Sequence, residues 1–373
     1  LIALALAALL CSGCMHAPSA PRLRVLDAAF DRCASELPPG EGLALRMEAL
    51  DFVWAQARGT GADPAQTLRI ASITKTFVAA AALRLVDQGR LGLDDPIGPL
   101  LPAALADALR ADGYDLSRIT VRMLLNHTAG LFDYAEHPDF QTRVMNDPGH
   151  IWTREEQVVF ATAHGDPLAA PGERFAYSDT GYILLGAVIE TITARPMAAA
   201  VRDLLDFDRL ALAHTWFETL EPAPRNAPGR ARQFVEALNV QAIHASADLF
   251  GGGGLISTQE DLARFFRALF GADILRAETR ATMMQASPQS LALGGEDLGG
   301  EGYGMGLGLH TVDGVACYGH GGFWGVLAWH CPALDLTVTG FVTNTNQRRL
   351  LAACVDDALR AAIGPSARIG PSP

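Results

Sequence analysis

The alternation of apolar and polar residues divides the chain into strands at both ends and helices between them. Arg22 to Glu36 reads as a helix, followed by two strands, Gly42 to Leu50 and Asp51 to Ala57, joined by a tight turn that lacks an Asn-Gly or Asp-Gly signal. A mostly apolar stretch from near Ser72 to Gly89, with Phe77, Val78, Leu83, Leu85 and Val86, predicts a helix buried on most sides. Leu91 to Pro102 is a connector punctuated by proline and glycine. Helices are expected at Val121 to Asn126, Arg154 to His164, Thr180 to Thr193 and Met197 to Leu205. Gly251 to Gly254 mark a turn into Leu255-Ile256, and Ser257-Thr258-Gln259-Glu260 reads as a capping box for a helix Asp261 to Phe270. From Tyr303 onward the period is that of strands: Gly306 to Thr311, Val315 to Gly319, Gly325 to Trp329 and Leu336 to Thr343, closed by an amphipathic helix Leu350 to Ala362.

Strands at both ends predict one antiparallel sheet flanked by helices, an α/β (α+β) architecture with an inserted all-helical subdomain. The α/β part is expected over residues 22–95 and 245–364, the helical part over 96–244, and a leader with its linker over 1–21. No internal repeat is evident.

With 373 residues, 49% of them hydrophobic, the chain can bury a large core. A net charge of −12 and a pI near 5.3 argue against nucleic acid or an anionic membrane surface as the main partner and leave small molecules. Leu1 to Leu10 is apolar but too short to span a bilayer, and it ends at Cys11-Ser12-Gly13-Cys14 before a Pro/Ser/Ala stretch, the pattern of a secretory signal. Gly13-Cys14 resembles the end of a bacterial lipoprotein signal, which implies lipidation of Cys14 and a periplasmic or membrane-anchored protein. Cys11 stands where that pattern usually has leucine, so ordinary signal cleavage stays open.

Export makes disulfide candidates of Cys33, Cys317, Cys331 and Cys354. Cys317 and Cys331 flank a glycine-rich turn between two expected strands, and Cys33 and Cys354 fall in the first and last helices. The expected pairing is therefore Cys317–Cys331 with Cys33–Cys354. No metal-binding spacing of Cys and His occurs.

Lys75 is the only lysine among 29 basic residues, and it stands three after a serine in Ser72-Ile73-Thr74-Lys75. Arginine does not give up its proton in a protein, whereas a lysine amine does so when burial or charge favours the neutral form. Positions i and i+3 share a helix face, so the Ser72 hydroxyl and the Lys75 amine read as a nucleophile and its activator. Burial and the positive end of the helix dipole are both expected to favour the neutral amine. Further on, Tyr177-Ser178-Asp179 places a tyrosine and an acid before a helix, either at an interface or as a simple helix cap. His320-Gly321-Gly322-Phe323 is either a backbone that approaches a ligand closely or an ordinary hairpin turn.

In order and content, Ser72-x-x-Lys75, Tyr177-x-Asp179 and His320-Gly321-Gly322 resemble the serine β-lactamase and penicillin-binding-protein superfamily, and within it the class C β-lactamase-related D,D-carboxypeptidases, esterases and D-aminopeptidases. Leu124 to Leu131, Tyr177 to Gly186 and Gly253 to Phe265 are also similar to family segments, so the resemblance runs from roughly Gly42 to Asn346. It implies a helix-covered antiparallel sheet and an all-helical part with the site between them. It also implies Ser72 as nucleophile, Lys75 as activator, Tyr177 as proton relay, and the backbone N–H groups of Ser72 and Phe323 as oxyanion hole.

Two departures stand out. His320-Gly321-Gly322 replaces the Lys-Thr-Gly usual in β-lactamases of this class, so a substrate carboxylate would meet only a partly protonated imidazole. Asp179 stands where asparagine is commoner; it cannot donate an amide hydrogen bond, and near Lys75 it would favour the charged amine. The expected protein is an exported or lipid-anchored serine hydrolase that forms an acyl-enzyme with an ester or a D-amino-acid amide or peptide. Tyr177, together with His320, is the expected base for deacylation, and no cofactor is implied. The alternatives are a β-lactamase and a non-catalytic binder or sensor on the same scaffold.

Overall fold

The computed structural model describes residues 20–293 and 300–364; the apolar leader and Cys14 lie outside them. Helix α1 (Ala20–Ala34) leads into the antiparallel strands β1 (Gly42–Glu48) and β2 (Val53–Gly59), with Glu48 opposite Val53. Their signal-less turn is closed by the Ala49 N–H donating to the Phe52 carbonyl at 2.9 Å. The short strand β3 (Thr67–Arg69) precedes helix α2 (Thr74–Asp87). The helical stretch that follows includes Arg154–His164, α3 (Asp179–Thr193) and Met197–Leu205. Strand β4 (Leu255–Thr258) then pairs with β3 and runs directly into α4 (Gln259–Phe270). Five further strands follow, β5 (Gly302–Tyr303), β6 (Gly308–Val312), β7 (Val315–Gly322), β8 (Val326–Cys331) and β9 (Leu336–Val342), before the closing helix α5 (Arg348–Ile363).

The seven-stranded sheet has the order β2-β1-β9-β8-β7-β6-β5, with all neighbours antiparallel, so the first strands join the last ones at β1–β9, where Leu43 faces Val342. Leu43, Leu45 and Met47 of β1 share one buried layer with Leu26 and Phe30 of α1 and with Leu351, Val355 and Leu359 of α5. Ala44 and Phe341 belong to the opposite layer, with Phe77 of α2 and Phe265 of α4. Helices cover both faces, so β1 and β9 are buried along nearly their whole length.

Helix α4 is capped one residue later than the sequence pattern suggests. The Thr258 hydroxyl accepts from the Asp261 N–H at 3.1 Å, while Ser257 remains in the strand and bonds Thr215 at 2.9 Å. Pairing of β4 with β3 extends through Thr258, so the strand claims Ser257 before the helix can.

Both expected disulfides form. The β7–β8 register sets Tyr318 opposite His330 and therefore Cys317 opposite Cys331, and Cys33 of α1 reaches Cys354 of α5 across 321 residues. Closing so long a loop restricts the unfolded chain strongly. The Cys33→Ala/Cys354→Ala double variant is expected to lose about 2–4 kcal/mol in urea unfolding, and a change below about 0.5 kcal/mol would contradict that role.

Candidate active site

The turn that carries Ser72 is held from two sides. Behind it, the Ile70 N–H donates to the Leu255 carbonyl of β4 at 3.1 Å. Ala71 then takes a left-handed backbone (φ 45°), unusual for a residue with a side chain, and the chain enters a 3₁₀ turn, Ala71–Ile73, ahead of α2. The predicted helix thus begins as a tighter turn. Because a 3₁₀ turn has three residues per turn, it keeps Ser72 and Lys75 in line. In front, the end of β7 packs directly on this turn. A Cβ at Gly322 would overlap the Ile70 carbonyl, so only glycine permits the approach, whereas Gly321 has open space beside it.

Lys75 is completely buried. Its Nζ donates to Ser72 Oγ at 2.9 Å and to the Gly252 carbonyl at 2.8 Å, and it forms an ion pair with Asp179. These three acceptors, with the Tyr177 hydroxyl as a fourth partner, suit an ammonium group. Burial pulls the amine pKa down, but the Asp179 carboxylate and Tyr177 outweigh it, and the net shift is upward. The neutral amine expected from burial and the helix dipole is therefore not the resting form. A carboxylate in direct contact, acting together with the Tyr177 hydroxyl in a poorly screened site, outweighs both.

The two readings of Tyr177-Ser178-Asp179 turn out to be compatible. The Ser178 hydroxyl caps α3 by accepting from the Gly181 N–H at 3.4 Å, which leaves Asp179, the first helical residue, to face Lys75. The Tyr177 hydroxyl is a hydrogen-bond partner of both Lys75 and Ser72; burial raises its pKa, Lys75 opposes this, and the phenol remains protonated at neutral pH. Its ring lies 4.3 Å from that of His127. His127, in a left-handed backbone (φ 58°), accepts the Ser178 N–H on Nδ1 at 3.1 Å and so ties the Leu124–Leu131 segment to the Tyr177 loop.

His320 departs from its expected behaviour. Its Nδ1 lies 2.6 Å from the Gly321 carbonyl and must donate, which leaves Nε2 to accept from the Tyr303 hydroxyl at 2.9 Å. Burial, reinforced by the Lys75 charge, pushes its pKa down to about 4. The imidazole is neutral rather than partly protonated at pH 7, and its one lone pair is already engaged. It therefore offers neither a cation for a substrate carboxylate nor a free base.

Ser72, Tyr177, Asp179, His320, Gly321, Gly322 and Phe323 all border one cavity of about 830 Å³, and Lys75 lies directly beneath Ser72. The predicted residues are thus assembled, although they come from segments up to 251 positions apart. Phe140, Val144, Met145 and Trp324 add apolar wall. Several neighbours went unread as chemistry: His127, Tyr303, Gly252 and Asp248. The one available signal was the run Gly251–Gly254, which supplies more than a turn, since Gly252 gives Lys75 its carbonyl.

A buried lysine bonded to a serine hydroxyl, with a tyrosine hydroxyl shared between them in a cleft beside an antiparallel sheet, is the arrangement of an acyl-transferring serine hydrolase. The chain belongs to the Beta-lactamase family, whose profile matches residues 50–361. It is 28% identical over 348 residues to the esterase EstB of Burkholderia gladioli, covering 82% of this chain and 83% of that protein. It is 26% identical over 245 residues to the D-alanyl-D-alanine-carboxypeptidase/endopeptidase AmpH of Escherichia coli (strain K12), covering 65% of this chain and 60% of that protein. A D-stereospecific amidohydrolase from Streptomyces sp. shares the fold with a TM-score of 0.74 and 27% identity, over 91% of this chain and 98% of that one. The protein is a serine hydrolase of this fold.

Two measurements check the geometry. Gly322→Ala is expected to lower kcat/KM about 100-fold, because a Cβ there displaces the Ser72 turn; wild-type turnover in that variant would contradict the packing. The His320 ring resonances are expected to stay in the neutral position from pH 8 down to about 5 and to move only toward pH 4, whereas a midpoint near 6.5 would overturn the neutral assignment.

Proposed function

We propose that Ser72 is the nucleophile of an acyl-enzyme mechanism acting on an ester or on a D-amino-acid amide or peptide, in a protein that is exported and, through Cys14, lipid-anchored. The observation that carries this is the Lys75 Nζ to Ser72 Oγ contact of 2.9 Å, with Asp179 on the other side of the same nitrogen. As Ser72 Oγ forms its bond to the substrate carbonyl carbon, its proton passes to Lys75 while a Lys75 proton moves onto Asp179, so the ion pair acts as the base without leaving an uncompensated charge. Tyr177 delivers its hydroxyl proton to the departing oxygen or nitrogen and recovers one from Lys75. Water, activated through Tyr177, then cleaves the acyl-enzyme. The backbone N–H groups of Ser72 and Phe323 hold the oxyanion, and losing one such donor costs about 3 kcal/mol in comparable acyl-transfer sites.

The names of the esterase, carboxypeptidase and amidohydrolase relatives support this substrate class. β-Lactam hydrolysis is less well supported, because His320 is neutral where the family's lysine would hold a carboxylate, and Asp179 cannot donate an amide hydrogen bond. Two disulfides favour an oxidising compartment and thus export.

The test is p-nitrophenyl butyrate hydrolysis by the chain from Ala17 onward, beside its Ser72→Ala and Lys75→Arg variants. Turnover lost in both is expected; equal rates in Ser72→Ala favour a non-catalytic binder, and an active Lys75→Arg removes lysine from the proton path, since arginine does not accept. In Asp179→Asn no carboxylate remains to take the Lys75 proton, so turnover then needs the neutral amine and the ascending limb of the pH–rate profile is expected to move to higher pH. An unmoved limb would separate Asp179 from the reaction.

A further inference from the structure

The glycine run at the end of the helical stretch makes room for two carboxylates. At Gly252 a Cβ would lie 2.8 Å from Asp179 Oδ1, and at Gly253 it would overlap Asp248 Oδ1. Asp179 is matched by Lys75. Asp248 is not: among the described residues no lysine or arginine forms an ion pair with it. The nearest candidates are committed elsewhere, Lys75 to Asp179 and Arg69 to Glu218 and the carbonyls of Val240 and Ile243.

Asp248 is partly buried and borders the same cavity as Ser72, Tyr177 and Asp179. Trp324 Nε1 donates to its Oδ2 at 3.0 Å, which fixes the carboxylate in place, and Ile243, Ala247 and Trp324 beside it are largely apolar. Burial, with the charge of Asp179 added, pushes its carboxyl up to about 7. A carboxylate oriented by a single neutral donor, in a largely apolar wall and with Lys75 and Arg69 acting on it only from a distance, is costly to keep charged until a cation arrives. Arg348, which also borders the cavity, is turned to the ring of Phe323, 4.7 Å away.

We propose that Asp248 recognises the ammonium group of the substrate, and that the substrate is an amino-acid amide or ester with a free amine next to the scissile carbonyl. This rests on the hydrolase reading above and narrows it. The apolar stretch formed by Phe140, Val144 and Met145 suits the amino-acid side chain. Asp248 would set specificity by exchanging water for a charge-assisted hydrogen bond that an acylated or deaminated analogue cannot form.

The test compares kcat/KM for D-phenylalanine p-nitroanilide with that for its N-acetyl derivative, with p-nitrophenyl butyrate as a neutral reference. Wild type is expected to prefer the free amine by about 30-fold, and Asp248→Asn to reduce that ratio to about 3-fold or less. A wild-type ratio near one, or a ratio unchanged in Asp248→Asn, overturns the role of Asp248, while Ser72-dependent butyrate turnover alongside it leaves the hydrolase reading intact. Calorimetry on Ser72→Ala, which needs neither turnover nor a folded Asp248→Asn, supplies the second arm. D-Phenylalaninamide is expected to bind at least 10-fold more tightly than its N-acetyl form, and equal binding refutes the proposal even if no ester is hydrolysed.

Discussion

A single buried ammonium group organises this protein. Lys75 lies wholly inside the molecule, and its ammonium group is met by the Ser72 hydroxyl one turn back, by the Gly252 carbonyl 177 residues on, and by the carboxylate at the start of α3. Each acceptor belongs to a different segment, so those segments are positioned by the cost of leaving any of the three unmet. Removing one partner of a buried ion pair typically costs 3–5 kcal/mol, because the other charge is then stranded in a medium that cannot solvate it. The pair is therefore weak evidence for stability and strong evidence for a specified geometry.

Close approach of backbones makes that geometry possible. Gly322 lets the last residues of β7 lie on the Ser72 turn, and Gly252 and Gly253 admit Asp179 and Asp248 beside the lysine. The sheet supplies rigidity: β7 pairs with β6 over Val315–Gly319 and with β8 from Tyr318 to Gly322, and the pairing of Gly322 with Val326 holds its end against the turn it supports. Ala71 adds local strain, its left-handed backbone tightening the turn just before the serine.

Acidic side chains outnumber basic ones around the cavity. His320 is neutral and locked between Gly321 and Tyr303, and the cavity is bordered by Glu136, Asp179, Glu236 and Asp248, with Arg348 as its cationic side chain. On the proposal that Asp248 takes an ammonium group, such a cavity favours an amine over a terminal carboxylate.

Much of this was legible in the residues alone. Period separated the terminal strands from the intervening helices, because that depends on which positions are apolar. The Ser72–Lys75 spacing survived even a change from α to 3₁₀ geometry, since three residues make a turn in either to a first approximation. The cysteine pairing followed from element order. What sequence did not determine was charge state and company. Lys75 is cationic and His320 neutral because of groups from 17 to more than 200 positions away, and Ser257 lost its capping role to strand pairing with β3. Asp248 looked like any loop acid until folding partly buried it without a counter-ion. Local pattern sets local conformation, but electrostatics in a buried site is a sum over neighbours that only the tertiary structure brings together.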